Sequence, residues 1–276
     1  MLTLEEIQLP KYPVFEQLEG DYDHIIAIGD VHGCYDELMD LIEEPAIYDK
    51  LVEKKTALIY LGDLIDRGPW SSQVLGYVRR SAQDPQYNTF CVLGNHSECH
   101  LRYQQHVLKG GTNPMKKGEE FLKVHNSLTD DDFRWIAQNP TAIKWQDWVF
   151  THAGIGPSGF NMPLKGFVRT RYFEYKESVK QYVSSRTWQD EHGVWCHNKD
   201  AIHWSNLYPP TKEKVVYGHE PRENIYVNGN TYGIDTGCYE GGKLSALILD
   251  CHTKEVTFEQ VKAKQCYFKN KVNNEE

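Results

Sequence analysis

The residues best suited to chemistry lie in Leu61-Gly62-Asp63-Leu64-Ile65-Asp66-Arg67-Gly68-Pro69. The run before them, Ala57-Leu58-Ile59-Tyr60-Leu61, is short, apolar and closed by glycine, the pattern of a fully buried strand. A carboxylate directly after such a run stands at the strand's carboxyl end, where open α/β sheets bind ligands. Two acids and an arginine crowded there need partners, and metal ions and phosphate are the natural ones. We expect Asp63 to bridge two metal ions. The plainer reading is an acidic loop in which Asp66 pairs with Arg67 and Gly68-Pro69 turns the chain.

Four further stretches repeat the arrangement. Gly29-Asp30-Val31-His32-Gly33 follows the apolar run Ile25–Ile28, and its glycines permit a turn in which Asp30 and His32 face one ion. Gly94-Asn95-His96 follows Thr89–Leu93, His152 follows Trp145–Thr151, and Gly218-His219 follows Val215–Tyr217. Oxygen and imidazole ligands in this mixture suit Mn, Fe, Zn, Co or Ni, and not calcium. Taken alone, His152 or His219 reads as a core histidine. Six coordinating residues at strand ends (Asp30, His32, Asp63, Asn95, His152 and His219) read as a dinuclear centre.

The elements that must position these residues alternate. Strand, polar loop and helix recur three times, with Asp30, Asp63 and Asn95 spaced 33 and 32 residues apart. This implies parallel βαβ units with their polar loops on one sheet edge. The expected helices are Tyr35 to about Glu44, Ser71–Arg80 capped by Ser71 or Ser72, Cys99–Leu108, Glu119–Asn126, and one capped by Thr129. The chain from Pro157 to Pro210 shows no clean periodicity and is aromatic and moderately basic. Strands follow at Thr231–Ile234, Leu244–Asp250 and about Glu255–Val261. Residues 1–22 read as an N-terminal arm on a single domain spanning 23–276.

Composition bounds the class. At 276 residues, 40% hydrophobic and 25% charged, the chain suits a soluble globular fold with a full core. A formal net charge of −9 argues against general affinity for nucleic acid or anionic membrane, so a phosphate site must be built locally. No apolar stretch reaches the roughly 20 residues of a membrane span. The acidic start lacks the features of a signal peptide. Seven cysteines without regular spacing point to reduced thiols in a cytoplasm, with Cys34 and Cys238 as small buried fillers before zinc ligands.

Gly29-Asp30-Val31-His32-Gly33, Gly62-Asp63-Leu64-Ile65-Asp66-Arg67-Gly68, Gly94-Asn95-His96, His152-Ala153-Gly154 and Gly218-His219 together resemble, in order, the signatures of the phosphoprotein phosphatase family of calcineurin-like metallophosphoesterases, bacterial and phage type. The resemblance runs from about residue 24 to 250. It implies an α/β fold, a central β-sandwich flanked by helices, with a dinuclear metal site at strand ends. It also implies two divalent transition-metal ions, manganese first: Asp30 and His32 hold one, Asp63 bridges, and Asn95, His152 and His219 hold the other. Such a pair acidifies a bridging water, and the hydroxide attacks phosphorus in line. By the same resemblance Arg67 grips phosphate oxygens, His96 protonates the leaving oxygen and Asp66 orients His96. Arg169, Arg171 and Arg186 are equal candidates for a second phosphate-binding arginine. Where the family carries an acid after the asparagine-histidine pair, this chain has Ser97, which could cap the next helix.

The resemblance implies a phosphorylated substrate. Asp66 tilts the expectation toward phosphomonoesters, as in Ser/Thr phosphoprotein phosphatases. Gly33-Cys34-Tyr35-Asp36-Glu37-Leu38 and Asp235-Thr236-Gly237-Cys238 resemble instead the symmetrical diadenosine tetraphosphate hydrolases, the alternative. A non-catalytic metal-bound module, hinted at only by Ser97, and a metal-dependent nuclease, disfavoured by the acidic charge, complete the set.

Overall fold

A computed structural model describes residues 1–9, 15–53, 55–113, 115–154, 202–209 and 212–268. Between 155 and 201 it describes only the backbone of four two-residue ladder segments. Two sheets face each other. The first holds β2 (His24–Ile28), β3 (Thr56–Tyr60) and β4 (Asn88–Cys91) in parallel, followed on the β2 side by β10 (Lys243–Asp250) and β11 (Val256–Lys262) in antiparallel. The second runs in the order β1 (Phe15–Gln17), β5 (Ala142–Trp145), β6 (Trp148–Thr151), β7 (Lys214–Tyr217), β9 (Thr231–Gly233) and β8 (Tyr226–Asn228).

Strand alternation builds two cores from one sheet. Ile25, Ala27, Ala57 and Ile59 point between the sheets and pack with Ile143, Trp148, Phe150 and Val216. Ile26, Ile28, Leu58 and Tyr60 point the other way, toward Leu38 and Leu41 of α1 (Tyr35–Glu43), Val74 and Val78 of α3 (Ser71–Gln83), and Phe133 and Ile136 of α6 (Asp130–Gln138). Because both faces are covered, β2 and β3 are apolar nearly throughout. The architecture is the expected sandwich flanked by helices.

Details differ from the sequence expectation. A further helix, α2 (Pro45–Val52), starts on Pro45, whose fixed φ suits a first helical turn. The stretch Trp145–Thr151 is a hairpin, turned at Gln146 with φ of 50°. Neither Ser71 nor Ser72 caps α3; Trp70 holds that place, and Ser71 Oγ accepts the Asp66 N–H at 2.9 Å. Ser97 is buried inside α4 (Asn95–Leu108), which is preceded by Gly94 at the cap position and starts earlier than Cys99. Thr129 caps α6 in a full capping box with Asp132. Between them lies α5 (Glu119–Ser127). In the first 22 residues, Leu2, Ile7 and Leu18 are buried, and β1 pairs in parallel with β5.

Candidate active site

The five loops meet because their strands run the same way. β2, β3 and β4 are parallel within one sheet, and β6 and β7 are parallel within the other, with Thr151 paired to Tyr217. The loops that leave Ile28, Tyr60, Cys91, Thr151 and Tyr217 carry Asp30, Asp63, Asn95, His152 and His219. Hydrogen bonds then tie the two sheets together at this edge. The His219 N–H donates to Asp30 Oδ1 at 3.0 Å, and His152 Nδ1 lies 2.8 Å from the Leu61 carbonyl.

All six expected ligands converge. Asp63 Oδ2 stands 3.3 Å from His152 Nε2 and 3.6 Å from His32 Nε2, whereas His32 Nε2 is 3.9 Å from Asp30 Oδ2. His152 Nε2 is also 2.8 Å from Asn95 Oδ1 and 3.1 Å from His219 Nδ1. Asp63 is thus shared by two sets of donor atoms, one with His152 and His219, the other with His32 and His96. The presence of His96 in the second set was not expected.

This donor set fits metal ions. His32 Nδ1 and His152 Nδ1 each donate to a backbone carbonyl, of Ile65 and Leu61, so the Nε2 lone pairs point inward. There they face carboxylate and amide oxygens, an arrangement that a proton or a metal ion satisfies. Asp30 Oδ2 is buried without a hydrogen-bond partner. Burial and the charges of Asp235 and Asp63 push the Asp30 carboxyl well above its ordinary range. Burial disfavours the charged form of His152, yet Asp63 and Asp30 outweigh it and raise the ring to about 9. Protons stand where ions would bind, and ion binding displaces them.

Strain is concentrated at the same place. His32, Asp63, Asp66, Arg67 and His219 all take positive φ, between 41° and 72°. Such backbone costs on the order of 1 kcal/mol per residue and persists only where the surroundings enforce it. Two glycines make the close approach feasible. A Cβ at Gly94 would collide with the backbone nitrogen and Oδ1 of Asp63, and one at Gly218 with Oδ1 of Asp30.

Beside these residues lies a histidine–carboxylate pair. His96 Nδ1 is 2.5 Å from Asp66 Oδ2, and the His96 N–H donates to Asp63 Oδ1 at 3.0 Å. Burial would raise the Asp66 carboxyl, but hydrogen bonds from His100 and His96 outweigh it and hold the group far below the carboxylate range. Asp66 pairs with His96 and His100. The Arg67 guanidinium lies over Phe268 at 4.5 Å and Tyr239 at 5.3 Å, which holds its fork on one side of the site.

Asp235 Oδ1 accepts the Gly237 N–H at 3.0 Å, consistent with a glycine-dependent turn. Its Oδ2 is buried without a partner, and burial pushes the carboxyl up to about 7. Arg169, Arg171 and Arg186 lie outside the described residues. The sequence reading missed His100 and His125, which continue the chain of contacts from Asp66. The spacing of His96 and His100, one helical turn apart on the same face, was the available signal.

The model of the calcineurin-like phosphoesterase family matches residues 24–252. The chain belongs to the calcineurin-like phosphoesterases. Among relatives of this phosphoesterase, the symmetrical bis(5'-nucleosyl)-tetraphosphatase of Methylococcus capsulatus is 28% identical, over 82% of this chain and 91% of its own. The asymmetrical bis(5'-nucleosyl)-tetraphosphatase PrpE of Halalkalibacterium halodurans is 29% identical, over 90% and 97%. A crystal structure provisionally described as a diadenosine tetraphosphatase superposes with a TM-score of 0.67 at 22% identity, covering 91% of this chain and 99% of that one. A Saccharomyces cerevisiae protein serine/threonine phosphatase superposes at 0.54 and 15% identity, covering 92% and 85%. These two likenesses show the fold. The phosphoesterase is thus a hydrolase of phosphoester bonds from a metal-dependent family.

Proposed function

We propose that this phosphoesterase hydrolyses dinucleoside polyphosphates at a dinuclear centre held by Asp30, His32, Asp63, Asn95, His152 and His219. One observation carries the reading of the centre: the buried Asp63 is shared between two groups of donor atoms at the joined edges of the sheets. Two divalent ions, when bound, neutralise phosphoryl charge and bring a water's pKa close to neutrality. Manganese is our first choice, with Fe, Zn, Co or Ni fitting the same donors. The chain's own residues do the rest. Arg67 orients the phosphate by its fork. His96, with Nδ1 on Asp66, presents its other ring nitrogen to the leaving oxygen as the proton donor. A cytoplasmic setting belongs to the proposal and agrees with the free thiols of the six described cysteines.

The substrate choice rests on relatives of both tetraphosphatase kinds that align over most of their length with this chain. The sequence alone put phosphomonoesters first, and one observation keeps them as the second reading. The His96–Asp66 pair matters most when the leaving group is an alkoxide, which departs poorly without a proton. The test is turnover of diadenosine tetraphosphate and of a phosphoserine peptide, side by side with manganese. We expect kcat/KM for the dinucleotide to exceed that for the peptide by at least about tenfold. The reverse ratio would transfer the assignment to phosphomonoesters. The products also discriminate: ATP plus AMP marks asymmetrical cleavage, and two ADP marks symmetrical cleavage.

A further inference from the structure

Behind the proton-transfer pair runs a second layer of polar side chains that the reaction outlined above does not use. His100 is fully buried, one turn along α4 from His96. Its Nε2 lies 3.0 Å from Asp66 Oδ1, the oxygen that His96 leaves open. Asp66 is ionised and has no proton to give, so His100 Nε2–H is the donor. On the far side, His100 Nδ1 is 3.2 Å from His125 Nδ1, and His125 Nε2 is 2.9 Å from Gln104 Oε1. A neutral His100 that donates through Nε2–H accepts at Nδ1, so His125 Nδ1–H is the donor to it, and His125 Nε2 accepts from the Gln104 side-chain amide turned to present its nitrogen.

Packing fixes the row as firmly as its hydrogen bonds. The His100 ring stacks on Phe121 at 4.0 Å and 8°, and both rings lie nearly parallel to that of His125. Phe121 and His125 lie one turn apart on α5, so α5 forms a wall behind α4. Asp66 by contrast sits on a loop in left-handed backbone, with φ of 71°, next to the equally left-handed Arg67. A carboxylate with one oxygen unclaimed beside a guanidinium would have a rival partner. His100 occupies that oxygen.

We propose that His100, braced by His125 and Gln104, is a positioning residue that holds the Asp66 carboxylate so that its other oxygen orients His96 for proton donation. The proposal rests on the phosphoesterase reading of the site. It separates His100 from a mere filler of a polar hole, because an orienting role affects only steps that need the proton.

The test therefore uses leaving groups. The manganese-loaded wild type, His100→Leu, His100→Gln and His125→Phe are assayed on p-nitrophenyl phosphate, whose phenolate leaves readily, and on phenyl phosphate, whose phenolate leaves poorly. For His100→Leu we expect kcat on phenyl phosphate to fall about 10–100-fold, with KM and metal content unchanged. On p-nitrophenyl phosphate the fall should be less than about 3-fold. His100→Gln, which keeps an N–H donor, should recover much of the loss, and His125→Phe should reproduce it weakly. Should His100→Leu fail to fold, the His100→Gln and His125→Phe pair decides by the same ratio. Equal losses on both esters, or none, overturn the positioning role while leaving the phosphoesterase reading intact. A wild type that turns over diadenosine tetraphosphate but neither ester overturns the positioning role alone, since no poor leaving group then needs the proton, and one inactive on all three overturns both.

Discussion

At the residue scale, burial of histidine has a measurable cost. His125 is buried among Tyr103, Phe121 and Phe133, and burial together with His100 lowers its ring to about 4. Unfolded, the same ring titrates near 6.5. Between those values the unfolded chain binds the extra proton, so stability falls as pH drops through the window and this contribution levels off below it. The contribution is up to about 3 kcal/mol. Urea unfolding of the metal-free protein at pH 7, 5.5 and 4.5 should show a steeper loss for the wild type than for His125→Gln. Identical slopes would place His125 in a wetter environment than the one described.

The legibility of the site in the sequence also belongs to this scale. Asp30, Asp63, Asn95, His152 and His219 could be read because each follows a buried strand, and strand ends are where parallel sheets gather loops. His100 could not. It sits mid-helix among residues whose helical spacing explains them as core, and its role depends on which loop the helix faces. Ser71 misled for the opposite reason. A serine at a helix start reads as a cap, but a nearer donor, the Asp66 N–H, claims its hydroxyl.

At the scale of elements, the site depends on backbone passing close to ligands. Gly218, between β7 and His219, leaves no room for a methyl group against Asp30 Oδ1. Gly218→Ala must displace the Asp30 carboxylate, which also accepts the His219 N–H. We expect this variant to fold, at a cost of about 1–3 kcal/mol for overpacking, and to carry one manganese ion per chain in place of two. Metal analysis after gel filtration would read this directly, and two ions retained per chain would mean that Asp30 is dispensable. Strand positions were the most legible elements, since apolar runs such as Ile25–Ile28 admit few alternatives. Turns were less so. The Gln146 turn uses left-handed backbone without glycine, and therefore gave no signal in an otherwise strand-like run.

At the scale of the whole molecule, neither sheet holds the site alone. The first brings Asp30, His32 and Asp63, with Asn95 at the head of the helix that follows β4; the second brings His152 and His219. Their shared core of Ile59, Trp148, Phe150 and Val216 fixes the edges at which these residues meet. The account turns on the claim that these two edges form one cradle for two ions. Anomalous diffraction from crystals grown with manganese tests it most directly. The account predicts two peaks about 3.5–4 Å apart, both within bonding distance of the Asp63 carboxylate. A single peak, or any pair of peaks that leaves Asp63 uncoordinated, would contradict it.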